Sequence, residues 1–336
     1  MNKLKLVLLN NATFIIFIVI FIVFGVLSPR FLAYKSLEII VVNATFIGVI
    51  AVGMTFVLLT GGIDLSVGST MYFSAAVLGY LINDLGVSIW LGMLVCLLVG
   101  LLIGTFNAIM VTRIGMVPFI ATLITMVLAR GAGMFITRSV PVDYPESLTT
   151  LDAINVFGVI PMPILLFALV VCVASVFLRS TQPGRQLYAI GNDPEGGRRA
   201  GLNTRRLTAM TYMICGICAA LGGIVSIAQL GRVNANFGVG NEFDAIAAAV
   251  LGGTSLFGGI GTVFPGTFLG AVMIQMIQSG LVFTRIDLYL QPIIMAAIIF
   301  LAVLVDSIRS SFIKKLQRRN ITKQTDGAAR SGSANG

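Results

Sequence analysis

Apolar runs recur along nearly the whole chain, and most are long enough to cross a lipid bilayer as a helix. Such a span needs about 20 residues, because the hydrocarbon core is roughly 30 Å thick. With 57% hydrophobic and 10% charged residues, the chain carries more apolar surface than a soluble core can bury. The sequence therefore predicts an all-α, polytopic membrane protein with about ten transmembrane helices.

The predicted spans cover residues 12–28, 40–60, 66–83, 88–111, 116–137, 159–178, 208–230, 244–257, 264–283 and 288–306. The eighth is too short to cross the bilayer unaided, so it is either a half-helix or continues into the glycine-rich stretch Gly258 to Gly266. We expect one transmembrane domain over residues 1–316. A disordered cytoplasmic tail, rich in Lys, Arg, Ser, Gly and Asn, is expected over residues 317–336.

Positive charge concentrates in a few segments outside the predicted spans. Residues 179–206 contain six arginines against two acidic residues, and the stretch 309–330 is also basic. Because cytoplasmic loops carry the excess of Lys and Arg, we expect both termini and the middle loop in the cytoplasm. Arg30 and Lys35 oppose this orientation. Topology and anionic lipid explain the net charge of +9 better than nucleic acid does, since the basic segments lack interleaved aromatic residues.

Glycine interrupts the apolar pattern at Gly61, Gly62 and Gly68, around the carboxylate of Asp64 and the hydroxyl of Ser66. Glycine favours a break in a helix, and a break at membrane depth is tolerated only against protein or a water-filled cavity. An ionisable side chain at this depth is a functional-site hypothesis by default. We therefore predict that these five residues belong to the translocation pathway or to a helix break.

A second candidate for the pathway or a helix break begins with Glu242 and Asp244, at the start of a short apolar helix. Plain capping is an equal alternative, because the helix dipole favours acidic residues in the first turn by roughly 0.3–1 kcal/mol. The pattern Gly-Gly-x-x-Leu occurs in this region at residues 252–256 and also at residues 61–65. The repeat is compatible with two related halves, although five residues also match by chance.

The loop over residues 184–202 is too long and too patterned for a simple connector. Glu195 to Ala200 are predicted to form a short helix, with Asp193 as the N-cap, Pro194 in the first turn and Gly201 at the end. A soluble partner can bind a helix that lies outside the bilayer between two spans, and through it can move the membrane helices.

The sequence lacks several motifs that are typical of enzymes. It contains no His, no Gly-x-Ser-x-Gly motif and no Gly-x-x-x-x-Gly-Lys-[Ser/Thr] phosphate-binding loop. Cys215 and Cys218 form a C-x-x-C pattern, but they lie in an apolar span and are interpreted as packing residues. We expect this chain to bind no cofactor or metal itself, and if it uses ATP, another polypeptide must bind that ATP.

Taken together, these motifs resemble the permease subunits of bacterial ABC importers for monosaccharides of the ribose, xylose, galactose and arabinose type. The likeness covers most of the chain, and ribose-type permeases are the most similar. It is carried by Ile47-Gly-Val-Ile-Ala-Val-Gly-Met-Thr-Phe56, Gly61 to Ser69, Pro118-Phe-Ile-Ala-Thr-Leu123 with Arg130-Gly131, Tyr188-Ala-Ile-Gly191, Glu242 to Gly253, and Ala302-Val-Leu-Val-Asp306.

The resemblance implies a complex in the bacterial inner membrane. Its expected partners are a cytoplasmic ATP-binding subunit, a second permease subunit (an identical copy or a paralogue) and a periplasmic sugar-binding protein. The coupling loop of the family maps onto Ala189, Gly191, Gly196 and Gly201. Here the chain departs from the family pattern, since Glu195 and Gly196 replace a common pair of alanines. The glycine alone weakens that helix by up to about 1 kcal/mol.

Two other classes of protein remain as alternatives. A secondary transporter driven by an ion gradient would use a broken helix and a carboxylate such as Asp64 as its ion site. Against it, Asp64 is nearly the only carboxylate at membrane depth, and no His relay accompanies it. A passive channel or scaffold leaves the patterned loop unexplained.

Overall fold

The computed structural model describes residues 11–156, 160–287, 289–298, 300, 301 and 304. Its helices are α1 (Ala12–Leu27), α2 (Tyr34–Leu59), α3 (Val67–Asn83), α4 (Ile89–Ile109), α5 (Pro118–Thr137), α6 (Glu146–Ala153), α7 (Met162–Ser180), α8 (Gln182–Asn192), α9 (Pro194–Arg199), α10 (Thr204–Leu230), α11 (Asn241–Leu251) and α12 (Phe268–Phe283). A 3-10 turn covers Pro29–Leu32, and π-helical turns cover Met110–Ile114 and Val263–Thr267. Residues 291–298, 300, 301 and 304 are also helical.

Four two-residue strands lie between the helices: β1 (Val142–Asp143), β2 (Asn155–Val156), β3 (Ile160–Pro161) and β4 (Arg232–Val233). The strands form two antiparallel pairs, β1 with β4 and β2 with β3. The first pair joins segments that are distant in sequence, and an ion pair between Arg232 Nε and Asp143 Oδ1 at 2.8 Å accompanies it. These short ladders leave the fold all-α, as predicted.

Six of the described helices are long and apolar enough to cross a membrane: α2, α4, α5, α7, α10 and α12, counting the π-helical turns. This finding confirms the multi-pass architecture, while the count of ten spans stays a prediction. Helix α2 begins at Tyr34, six residues before the predicted start of the second span at residue 40. The residues before position 40 include Lys35 and Glu38, whose charged groups pair at 3.2 Å, so this part of α2 lies outside the apolar run.

The bundle has a buried centre and an apolar outside. Most of α2, α10 and α12 is buried within the described protein, whereas most residues of α4, α5 and α7 are half-buried or exposed. Close packing depends on glycine where α4 crosses α10. A Cβ on Gly100, Gly104 or Gly216 would collide with the backbone of the facing helix. These glycines therefore allow the two helices to approach each other closely. Cys215 and Cys218 are buried free thiols in the same core.

The long helices alternate in direction between two ends of the bundle. We call the end of the bundle that lies next to helix α8 the loop end, and the end at which β1 pairs with β4 the strand end. At the loop end, Gly259 N donates to Leu59 O over 2.9 Å. Ser28 Oγ donates to Phe283 O over 3.5 Å, so α1 and α12 finish together at the strand end. Helix α1 therefore begins at the loop end, while the compartment that this end faces stays a prediction.

Helix α11 is a half-helix, so the first of the two alternatives for the eighth span is correct. Its 11 residues rise about 16 Å, roughly half of the hydrocarbon core. Gly240 precedes it with φ +88°, and Gly253 follows with φ +91°. Residues 252–262 form irregular turns before the next helix begins at Val263. The predicted domain limit at residue 316 and the predicted tail over 317–336 lie outside the described residues.

Candidate functional site

The predicted helix break after α2 is present, and protein surrounds it. Helix α2 ends at Leu59, and Gly61 adopts φ +73°, a conformation that favours glycine. Gly62 packs against α10, where an added Cβ would lie 2.5 Å from Tyr212 Oη. The break thus satisfies the requirement that irregular backbone at membrane depth be covered by protein.

Asp64 is buried behind this break, with 1% of its surface exposed. Its Oδ1 accepts hydrogen bonds from Ser66 N at 2.9 Å and Ser66 Oγ at 2.6 Å. The Asn107 amide on α4 donates to both carboxylate oxygens at 3.4 Å and to Ser66 Oγ at 2.8 Å. Within the described part of the chain, no Lys or Arg pairs with it. Through these hydrogen bonds, the Asp64 side chain holds the start of α3 against α4.

The two candidate segments meet where α3 begins. A Cβ on Gly68 would collide with Gly238 O and would lie 2.5 Å from Glu242 Oε2. Glycine is therefore required at residue 68 so that the first turn of α3 can cross the loop before α11. Glu242 is 7% exposed at this crossing. Sequence reasoning nominated Gly68 and Glu242 separately, and the structure brings them into contact.

Arg130 on α5 secures the same crossing. Its guanidinium donates to Ala235 O at 3.1 Å and to Phe237 O at 2.6 Å. The group also stacks on Tyr72, 4.9 Å from the ring centre, and its charge is favourable to Glu242. No local sequence pattern indicates this role for Arg130, because its partners are backbone carbonyls more than a hundred positions away.

Asp244 lies two residues further along α11, on a different face of the helix from Glu242. Its Oδ2 accepts a hydrogen bond from Gln278 Nε2 on α12 at 3.1 Å. Both side chains line a groove of about 950 Å³ between α2, α11, α12 and the helical residues after 290. We call this cavity the central groove. Of the two acidic residues at the start of α11, only Asp244 lines it.

The predicted surface loop forms two consecutive helices. Thr181 caps α8 by accepting a hydrogen bond from Gly184 N at 3.1 Å. Asp193 caps α9 by accepting from Gly196 N at 3.0 Å, and Gly201 follows α9 with φ +82°. The sequence prediction of the short helix and its cap is confirmed, with the observed helix running from Pro194 to Arg199. Ala189 is exposed on the outer side of α8.

The inner side of α8 touches both helix breaks. A Cβ on Gly191 would collide with Leu59 O and would lie 2.5 Å from Gly259 N. A Cβ on Gly258 would in turn lie 2.8 Å from Gly191 O and 3.1 Å from Gly61 N. We call this close contact of Gly61, Gly191, Gly258 and Gly259 the glycine node.

Two side chains extend the node. Tyr188 Oη donates to Gly261 O at 3.0 Å, and Asn192 Nδ2 donates to Gly259 O at 3.4 Å. A displacement of α8 must therefore act on the end of α2 and on the turns after α11. Sequence reasoning nominated Gly191 but missed Asn192, which lies in the same predicted loop. It also missed Gly258 and Gly259, whose only signal was a glycine-rich stretch.

Comparison with known proteins places this geometry in a family. Residues 36–303 match the family described as the permease component of a branched-chain amino acid transport system. The ribose import permease protein RbsC of Escherichia coli K12 is 35% identical over 307 residues, covering 89% of this chain and 94% of that protein. RbsC of Bacillus subtilis strain 168 is 34% identical, covering 88% and 92%.

Another similar protein carries a different name. The autoinducer 2 import system permease protein LsrC of Enterobacter sp. strain 638 is 36% identical over 302 residues, covering 89% of this chain and 87% of that protein. No solved structure gives a significant match. The family match and these identities lead to one conclusion: the chain belongs to the bacterial importer permease family described as the permease component of branched-chain amino acid transport systems.

Proposed function

We propose that this chain is the transmembrane permease subunit of an ATP-driven ABC importer and that it translocates a monosaccharide, with a ribose-like pentose as the first candidate. The observation that carries the proposal is the glycine node, which joins a surface helix to both helix breaks. Relatives named for ribose import support the pentose. Relatives named for autoinducer 2 import make that signal the competing cargo.

In this proposal the chain works in a complex within the bacterial inner membrane. An ATP-binding subunit docks on residues 184–202 and binds the ATP, so this chain contributes no ATPase site and no cofactor. A second permease subunit, identical or a paralogue, lies beside it in the bilayer. A periplasmic sugar-binding protein delivers cargo at the strand end, and both termini face the cytoplasm with the loop end.

The mechanism follows from the contacts of α8. Closure of the ATP-binding subunits pushes α8 and α9, and the exposed outer side of these helices is the surface available to them. The inner side transmits the displacement through Gly191 to Leu59 and through Tyr188 to Gly261. The two permease subunits then rock so that the pathway opens alternately to each side.

The test replaces Gly191 with leucine. No side chain fits between Leu59 O and Gly259 N, so we expect sugar uptake and sugar-stimulated ATP hydrolysis to fall by about tenfold or more. The matched control is Gly131→Leu on α5, where an added Cβ meets no atom within 4 Å. Both variants are checked for insertion in the membrane and for co-purification of the ATP-binding subunit.

A normal rate of uptake in an inserted Gly191→Leu variant would remove the node from the mechanism. The buried carboxylate of Asp64 keeps the secondary transporter as the competing function. Uptake by vesicles that contain only this chain, abolished by a proton uncoupler, would establish that alternative and end the ABC proposal.

A further inference from the structure

Polar side chains line the central groove along the second half of the membrane-length helix Val263–Phe283, which contains α12. Gln275, Gln278 and Ser279 lie at positions i, i+3 and i+4, so they share one face of α12. Gln275 is two residues from the midpoint of the apolar helix Val263–Phe283, which corresponds to roughly 3 Å along its axis. Asn43 of α2 and Asp244 of α11 face the same groove.

These groups cannot face lipid cheaply. Amide and carboxylate groups at this depth require protein, water or a polar solute as their partner. The existing hydrogen bonds use only part of their capacity: Gln278 donates to Asp244, and Gln275 donates to Ser279 over 3.4 Å. The Asn43 side chain has no hydrogen-bond partner among the residues that the structure describes. The groove therefore presents free donors and acceptors side by side.

Aromatic rings form the apolar part of the same groove. Phe243 is 56% exposed and Phe300 is 65% exposed, and both line the cavity. A volume of about 950 Å³ lies within the range of small-molecule sites, in which apolar and aromatic walls surround a few polar groups that fix orientation. A sugar matches this lining, because its hydroxyl groups bond to amides and carboxylates while its C–H faces pack on rings.

We propose that the central groove is the solute-contact site of the pathway and that it takes a neutral, polyhydroxylated solute. Asp244 accepts hydrogen bonds from the solute's hydroxyl groups, and the Gln278 amide donates one and accepts another. The inference rests on the proposed importer function and adds to it the place and the chemistry of solute contact. It assigns Asp244 to the pathway and leaves Asp64 and Glu242 to the helix breaks.

The first test measures sugar delivered per ATP hydrolysed. The permease is reconstituted in liposomes with its ATP-binding subunit and its binding protein, and labelled D-ribose and D-xylose are the probes. In Asp244→Leu and Gln278→Leu we expect uptake per ATP to fall about tenfold, while stimulated ATP hydrolysis stays within about twofold. Asp244→Asn should keep more uptake than Asp244→Leu, since a neutral solute needs hydrogen bonds rather than charge.

The matched control is Gln229→Leu. Gln229 on α10 donates to Val42 O at 3.1 Å and does not line the groove, so uptake per ATP should stay normal. Unchanged uptake per ATP in both groove variants would overturn the proposal while leaving the importer function intact. If the wild-type complex imports neither sugar, the pentose cargo of the proposed function fails, and the groove is then tested by the labelling at residue 278 alone.

A second test does not depend on folding of the leucine variants. In a Cys172→Ser background, which removes the one exposed native thiol among the described residues, Gln278→Cys is treated in intact membranes with a water-soluble methanethiosulfonate. We expect rapid labelling that stops uptake. Leu169→Cys, on the exposed apolar side of α7, should stay unlabelled. Absence of labelling at residue 278 would mean that lipid or protein fills the groove, which overturns the proposal.

Discussion

At the scale of single residues, Asp64 and Asn107 form a buried, hydrogen-bonded unit. Neutral donors surround the carboxylate, and each Asn107 amide contact with it spans 3.4 Å. In a low-dielectric interior, leaving such a group without donors costs several times more than one hydrogen bond contributes. This unit explains why a carboxylate is tolerated at membrane depth beside a helix break.

The unit can be tested by exchanging its two members. In Asp64→Asn an amide NH₂ group replaces one of the two oxygens that accept from the Asn107 amide, so two donors face each other. We therefore expect a lower melting temperature in detergent, corresponding to a loss of about 1–3 kcal/mol in the free energy of unfolding. Asp64→Asn combined with Asn107→Asp restores one amide and one carboxylate and should recover most of that loss. The measurement is thermal unfolding followed by size-exclusion chromatography. A double variant no more stable than Asp64→Asn would show that the carboxylate is needed at residue 64 itself.

At the scale of elements, the surface helices α8 and α9 depend on two glycines for different reasons. Gly191 has no space for a side chain, because α8 lies against Leu59 and Gly259. Gly201 has open space around it and only adopts a left-handed conformation, φ +82°. The sequence could nominate both glycines, but only the packing separates them.

Because Gly201 is constrained by its backbone conformation and not by space, we expect residue 201 to tolerate some substitutions better than others. Gly201→Asn should keep near-normal uptake, since Asn tolerates the left-handed region, whereas Gly201→Val should cost about 1–2 kcal/mol of local stability and lower uptake. Uptake by membranes with matched permease content is the measurement. Equal rates of uptake by the two variants would show that the turn after α9 changes conformation freely.

At the scale of the whole molecule, the loop end carries the connection between the soluble surface and the membrane helices. The hydrogen bond from Tyr188 Oη to Gly261 O links α8 to the turns between α11 and α12. A displacement of the helices at the loop end also moves their other ends, at the strand end. There β1 pairs with β4, two segments that are distant in the sequence. In the proposed importer, coupling is thus a property of the bundle rather than of one motif.

Removing the Tyr188 hydroxyl tests this connection. In Tyr188→Phe the buried Gly261 carbonyl loses its donor, at a cost of about 1–3 kcal/mol, so we expect uptake per ATP to fall several-fold while the complex still assembles. Tyr80→Phe at the strand end is the control, since within the described residues the Tyr80 hydroxyl makes no hydrogen bond. A normal ratio of uptake to hydrolysis in Tyr188→Phe would place the coupling in backbone contacts alone.

The sequence by itself determined the features that depend on near neighbours in the chain. Apolar runs predicted the membrane helices, Asp193 and Gly201 predicted the limits of a short surface helix, and glycines around Asp64 predicted a break. Each of these signals is local, because helix length, capping and backbone conformation are set within a few residues.

Only the tertiary structure decided which of these pieces meet. It placed Gly191 against Gly258 and Gly259, Arg130 against the carbonyls before α11, and Asp244 opposite Gln278. It also separated Glu242 at a buried crossing from Asp244 in the groove, although two positions separate them in the chain. Such contacts depend on how helices cross and rotate, which is set by packing against the whole bundle and not by the residues of one segment.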